Sequence, residues 1–132
     1  MHNGTAATLE KVFECFSRVK SFICTSPNIT SKTFESLLKI PQFLTILSFW
    51  LYSVSEDFDI DSFNIYMKKN KHSKIRLDFC GTVSEAYKNR LNLFVDEIIA
   101  TENQGYKPPL ISCDGLDGEK YGKLYNLYIK NL

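Results

Sequence analysis

The spacing of hydrophobic positions changes along the chain. Leu9, Val12, Phe13, Phe16, Val19 and Ile23 recur three and four residues apart, the spacing of one helical face. Thr5 or Thr8 is placed to cap that helix, and Glu10 favours the positive end of its dipole. Ser26-Pro27-Asn28 stops it. A short helix is predicted next, capped by Thr30 or Ser31, with Phe34, Leu37 and Leu38 facing inward. Lys39-Ile40-Pro41 ends it, because the residue before a proline avoids the helical region.

From Ile40 to Val54 the chain reads IPQFLTILSFWLYSV, with no charged residue and with its only Trp. A membrane-spanning helix needs about 20 mostly apolar residues. This run is shorter, carries Gln42, Thr45, Ser48 and Ser53, and is closed by Lys39 on one side and Glu56-Asp57 on the other. It predicts a helix in the centre of the core and no membrane contact. Pro41 suits a first helical position, where its missing N–H has no intrahelical partner. Phe43, Ile46, Leu47 and Trp50 share one face of that helix, and Leu44 and Leu51 widen it.

The period then falls to two. Phe63, Ile65 and Met67 alternate with Asn64, Tyr66 and Lys68; Ile75, Leu77 and Phe79 alternate with Arg76, Asp78 and Cys80. Two such runs around Asn70-Lys71-His72-Ser73 predict a β-hairpin with one buried face. Asp61 is an alternative cap for a short helix over the first run, since short runs fit either period. Thr82-Val83-Ser84-Glu85 has the form of a capping box. It opens a long amphipathic helix striped by Val83, Tyr87, Leu91, Phe94, Val95, Ile98 and Ile99, with Gly105 as its stop. Leu110-Ile111 follows Pro108-Pro109 as a short strand, and Asp114-Gly115 and Asp117-Gly118 are turns. The tail from Tyr121 to Leu132 fits helix or strand, with Gly122 counting against helix. The prediction is an α+β fold over residues 1–132 as one domain, with 1–4 frayed. It has a helical N-terminal half, a β-hairpin as a small antiparallel sheet, a long helix and a C-terminal element.

Composition fits a globular domain. The chain has 132 residues, 44% hydrophobic and 23% charged, and a formal net charge of +1. That length buries a core without metal or disulfide, and that charge sets up no global field toward nucleic acid or a membrane surface. The N-terminal segment lacks the basic-then-apolar order of a secretory leader, so a cytoplasmic protein is expected. Cys15, Cys24, Cys80 and Cys113 form no Cys-x-x-Cys, and His2 and His72 are the only histidines. Reduced thiols without zinc, and no cofactor, are therefore expected.

Chemistry is sparse. Glu56, Asp57, Asp59 and Asp61 crowd around Phe58 and Ile60. Alternate aspartates resemble the first positions of a calcium loop, but Ser62 stands where that loop needs glycine and Lys68 where it needs glutamate. Lys68, Lys69, Lys71, His72, Lys74 and Arg76 form a basic cluster suited to phosphate contact or to the protection of a hairpin edge. With Tyr66 as its only outward aromatic, it lacks a base-stacking platform. Neither histidine sits where it could activate a Cys or Ser nucleophile.

The functional expectation is a small protein-binding protein without enzymatic activity. Within that class the preferred form is a bacterial inhibitor of the immunity or antitoxin type. It would neutralise a partner such as a nuclease-type toxin through Glu56, Asp57, Phe58, Asp59 and Asp61, because a nuclease presents a basic cleft. A nucleic-acid-binding accessory or phage-type regulator using the basic cluster is the first alternative. A metal-dependent enzyme using Asp57, Asp59 and Asp61 is the second.

Overall fold

The computed structural model describes residues 20–25, 29–30, 32–40, 46–70, 73–101 and 105–131. Strands and helices alternate along them. β1 (Ser21–Thr25) is followed by α1 (Thr33–Leu37), β2 (Ser48–Val54) and α2 (Ile60–Lys69); then come β3 (Lys74–Phe79), α3 (Glu85–Ala100), β4 (Leu110–Ser112) and α4 (Gly118–Lys130). The strands form one sheet in the order β1-β2-β3-β4, and every neighbouring pair is parallel. The order advances in one direction, so crossovers of one hand place their helices on one face.

That face holds the core. Phe49 and Leu51 from β2, Ile75, Leu77 and Phe79 from β3, and Ile111 from β4 point into it. Phe34 and Leu37 from α1, Phe63, Tyr66 and Met67 from α2, and Leu91, Phe94, Val95 and Ile98 from α3 cover them. Aromatic edges interlock at its centre, with ring centroids 4.8 Å apart for Phe34–Phe58, 5.4 Å for Phe34–Phe63 and 6.1 Å for Phe63–Phe94. A buried polar knot sets the entry to β3. Asn70 Nδ2 donates to the Tyr66 hydroxyl (2.7 Å) and to Ser73 Oγ (2.8 Å), and Asn70 Oδ1 accepts from the Ser73 amide (3.0 Å). Ser73 Oγ donates in turn to the Ile46 carbonyl, tying the start of β3 to the approach to β2.

The expected α+β architecture is corrected by this topology: an alternating, all-parallel sheet replaces the helical N-terminal half and the antiparallel hairpin. The uncharged run ending at Val54 is a strand from Ser48 onward. Its side chains alternate, Phe49 and Leu51 inward and Trp50 and Tyr52 outward. Both sets are apolar or aromatic, so a two-residue period looks like a uniform apolar block. Residues 41–45, which supplied the helical half of that prediction, lie outside the described residues, as does the predicted helix from Leu9 to Val19. Ile23, assigned to that helix, is in β1. The first arm of the predicted hairpin, Phe63 to Met67, is helical: Asp59, two residues before the alternative cap Asp61, caps α2 by accepting from the Asp61 and Ser62 amides. Tyr66, expected on an outward face, is fully buried. The second arm is β3, but its partner β2 runs parallel to it. Ser84, two residues beyond Thr82, caps α3 by accepting from the Tyr87 amide at 3.2 Å. The tail is helical, and Gly122 is accommodated within α4.

Candidate interaction surface

The other face of the sheet is laid out in rows by the strand register. Ser21, Ser48 and Lys74 form one row; Ile23, Trp50, Arg76 and Leu110 form the next; Thr25, Tyr52, Asp78 and Ser112 form the third. Among the described residues only α4 reaches this face, at its β4 end. There Leu110 is buried, whereas Ile23 at the opposite edge is 64% exposed. Between them Trp50, Tyr52, Lys74 and Arg76 are half-buried.

Trp50 and Arg76 make its centre. The Arg76 guanidinium carbon lies 5.2 Å from the Trp50 ring centroid, a cation–π arrangement. Neither Arg76 nor Lys74 has a carboxylate partner among the described residues. Tyr128 of α4 flanks the pair. Burial raises its hydroxyl pKa, and the nearby Arg76 charge and Trp50 indole oppose that rise. No full hydrogen bond forms between the rings: Trp50 Nε1 is buried without a partner. Lys120 fixes α4 in this position, reaching Asp96 of α3 at 2.9 Å and Asn92 Oδ1 at 3.2 Å. Tyr121 and Tyr125 stack along the same helix at 6.4 Å.

The acidic residues singled out by sequence lie together on a different edge, between the end of β2 and the start of α3. They line an open cleft with Tyr87 and Arg90. Most of them are engaged inside the molecule. Glu56 Oε1 accepts from the Ser84 amide at 2.7 Å, Asp59 caps α2, and Asp61 pairs with Arg90. Asp57 accepts from Ser55 Oγ at 3.5 Å. Phe58, expected as the apolar contact, is 2% exposed within the core. Its carbonyl accepts from the Tyr87 hydroxyl at 2.5 Å. Burial first, then the charges of Asp59, Cys113 and Glu56, push that hydroxyl well above the ordinary tyrosine range. Among the described residues no three His, Cys, Asp or Glu side chains are grouped to hold a metal ion.

The basic cluster is divided. Lys68 and Lys69 end α2, where a helix C-terminus favours cations. Lys71 and His72 lie outside the described residues. Lys74 and Arg76 belong to the open sheet face, beside the aromatic side chains the cluster lacked in sequence. Cys24, Cys80 and Cys113 are free thiols; Cys15 is outside the described residues. Burial raises the pKa of Cys24 and Cys113, which keeps them in the less reactive thiol form.

Sequence reasoning missed Trp50, Tyr52 and Ile23 as residues of an outer sheet face. The signal available was the alternation within Ser48–Val54 and its richness in aromatic side chains, which favour strands. No described helix is long and apolar enough to cross a membrane. No family model matches the chain, and neither a curated protein nor a solved structure matches it.

Proposed function

We propose that this chain is a protein-binding module whose contact surface is the open face of its sheet. The observation that carries this is a parallel sheet with one face only partly covered among the described residues and a Trp50–Arg76 pair at the centre of that face. Parallel sheets are normally covered on both faces. Trp, Tyr and Arg are also the residues most enriched where interface energy concentrates. Inhibition of the bound partner, as by an immunity or antitoxin protein, is one form of this activity. In that form the edge carrying Asp57 and Asp61 supplies charge at the rim of the contact.

The test compares two double variants against the partner recovered from the native cell by cross-linking. Tyr52→Ala with Arg76→Glu is expected to weaken the complex by at least about tenfold, or about 1.4 kcal/mol. Asp57→Lys with Asp61→Lys is expected to change it less, and mainly in association rate. The reverse ranking, with both proteins folded by circular dichroism, assigns the contact to the acidic edge.

A further inference from the structure

We infer that the partner element received by the open sheet face is an acidic protein segment with an aromatic or aliphatic side chain next to its carboxylate. This rests on the protein-binding reading of that face.

The charges of the face are unbalanced. Lys74 and Arg76 project from neighbouring rows of β3, and Asp78 is the one carboxylate in the three rows. Two cations against one carboxylate leave the face one positive charge in excess. None of these cations is held by an ion pair among the described residues. A purely apolar occupant would strip water from the Arg76 guanidinium and leave it without an acceptor, which is costly. A basic occupant would be repelled. A carboxylate accepts two parallel hydrogen bonds from a guanidinium. The ground beside that charge is apolar and aromatic: Trp50 under Arg76, Ile23 across β2, and Tyr52 in the next row. A carboxylate next to an apolar side chain satisfies both halves of the surface.

Single-stranded nucleic acid offers the same pairing of anion and flat ring. It needs a track of cations along its backbone as well as rings on which bases stack. The open face has a short basic step, followed by Asp78 in the row beyond Arg76, and Lys68 and Lys69 belong to the helical layer. An acidic protein segment therefore fits better.

Trp50 is the only Trp of the chain, so its fluorescence reports from the centre of the site. The probes are a random glutamate–tyrosine copolymer, polyglutamate, polylysine and a short oligo(dT), titrated at low salt with excitation at the red edge of Trp absorption. The glutamate–tyrosine copolymer is expected to give a saturable change in Trp50 emission, tighter than that of polyglutamate, with polylysine giving none. Arg76→Gln is expected to weaken that binding by about tenfold, as for the loss of a charge-assisted pair. Lys74→Gln should act in the same direction, and Lys69→Gln, at the end of α2 in the helical layer, should leave it unchanged. The inference fails if the copolymer gives no saturable change, if Arg76→Gln binds it as well as the parent, or if polyglutamate binds equally well. If the copolymer fails while Tyr52→Ala with Arg76→Glu still releases the native partner, the acidic segment is wrong and the binding face stands. Tighter binding of oligo(dT) than of the copolymer at equal salt overturns both and assigns the face to nucleic acid.

Discussion

At the scale of single residues, the chain buries polar hydroxyls as well as apolar rings, and the two respond to different challenges. Tyr66 and Tyr87 have hydroxyls whose pKa values burial raises well above the ordinary tyrosine value near 10. The folded state thus holds those protons more tightly than the unfolded chain does. Their contribution to stability is complete below about pH 10 and is lost as pH rises beyond it, because the unfolded state then ionises first. The urea midpoint is expected to fall above pH 10, and Tyr66→Phe should make that fall shallower; an equal fall in the variant would remove Tyr66 from the account. Asn70 keeps Ser73 as a partner in that variant, so the polar knot survives. Phe63 is the apolar counterpart. It is fully buried and contacts the rings of Phe34, Phe58, Tyr66 and Phe94. Phe63→Ala is expected to cost about 3–5 kcal/mol in urea unfolding.

At the scale of elements, legibility depended on whether the two faces of a segment differ chemically. β3 was readable because Lys74, Arg76 and Asp78 alternate with the buried Ile75, Leu77 and Phe79. The register of β2 was not, because Trp50 and Tyr52 on its open face are as bulky as Phe49 and Leu51 on its core face. Ser53, with φ of 53°, also breaks its ladder, so that Val54 pairs with Phe79 out of step with Tyr52 and Asp78. For α2 a polar–apolar alternation occurred within a helix, and only its cap separated the two periods. The open face was unreadable for the same reason: it exists only once β2 and β3 are parallel and in register, which places Trp50 beside Arg76. The acidic edge was readable as a cluster of charges, but the cap, the amide bond and the ion pair that engage its members are tertiary facts. Asp59 carries the consequence. Its carboxylate accepts from the Asp61 amide at 3.1 Å and from Ser62 Oγ at 2.9 Å. Asp59→Ala is expected to destabilise the fold by about 1 kcal/mol, and Asp59→Asn by less, in parallel urea titrations. Equal effects would show that charge at the helix N-terminus, and not the hydrogen-bonding cap, holds α2.

At the scale of the molecule, a sheet that grows in one direction has two ends to protect, and the described residues show how one of them is closed. β4 has three residues, and its outer side is covered by α4. Short covered edges are how sheets avoid pairing with other chains, and a terminal helix with a polar outer side provides such cover. α4 has that character: Leu124 is fully buried in the core, Tyr128 leans over the open face, and Lys120 bonds to α3. The open face and the closed end are therefore coupled, because the same helix packs on β4 and brings Tyr128 beside Trp50 and Arg76. Leu124→Lys places a charge where no water or counter-ion reaches, which a buried site does not tolerate. It is expected to unseat α4, shift Trp50 emission to longer wavelength as Tyr128 withdraws, and produce oligomers by light scattering as β4 becomes a free edge. Ile129→Lys, on the exposed side of the same helix, should remain monodisperse with the parent emission. If Leu124→Lys aggregates without any change at Trp50, α4 guards the edge alone and takes no part in shaping the open face.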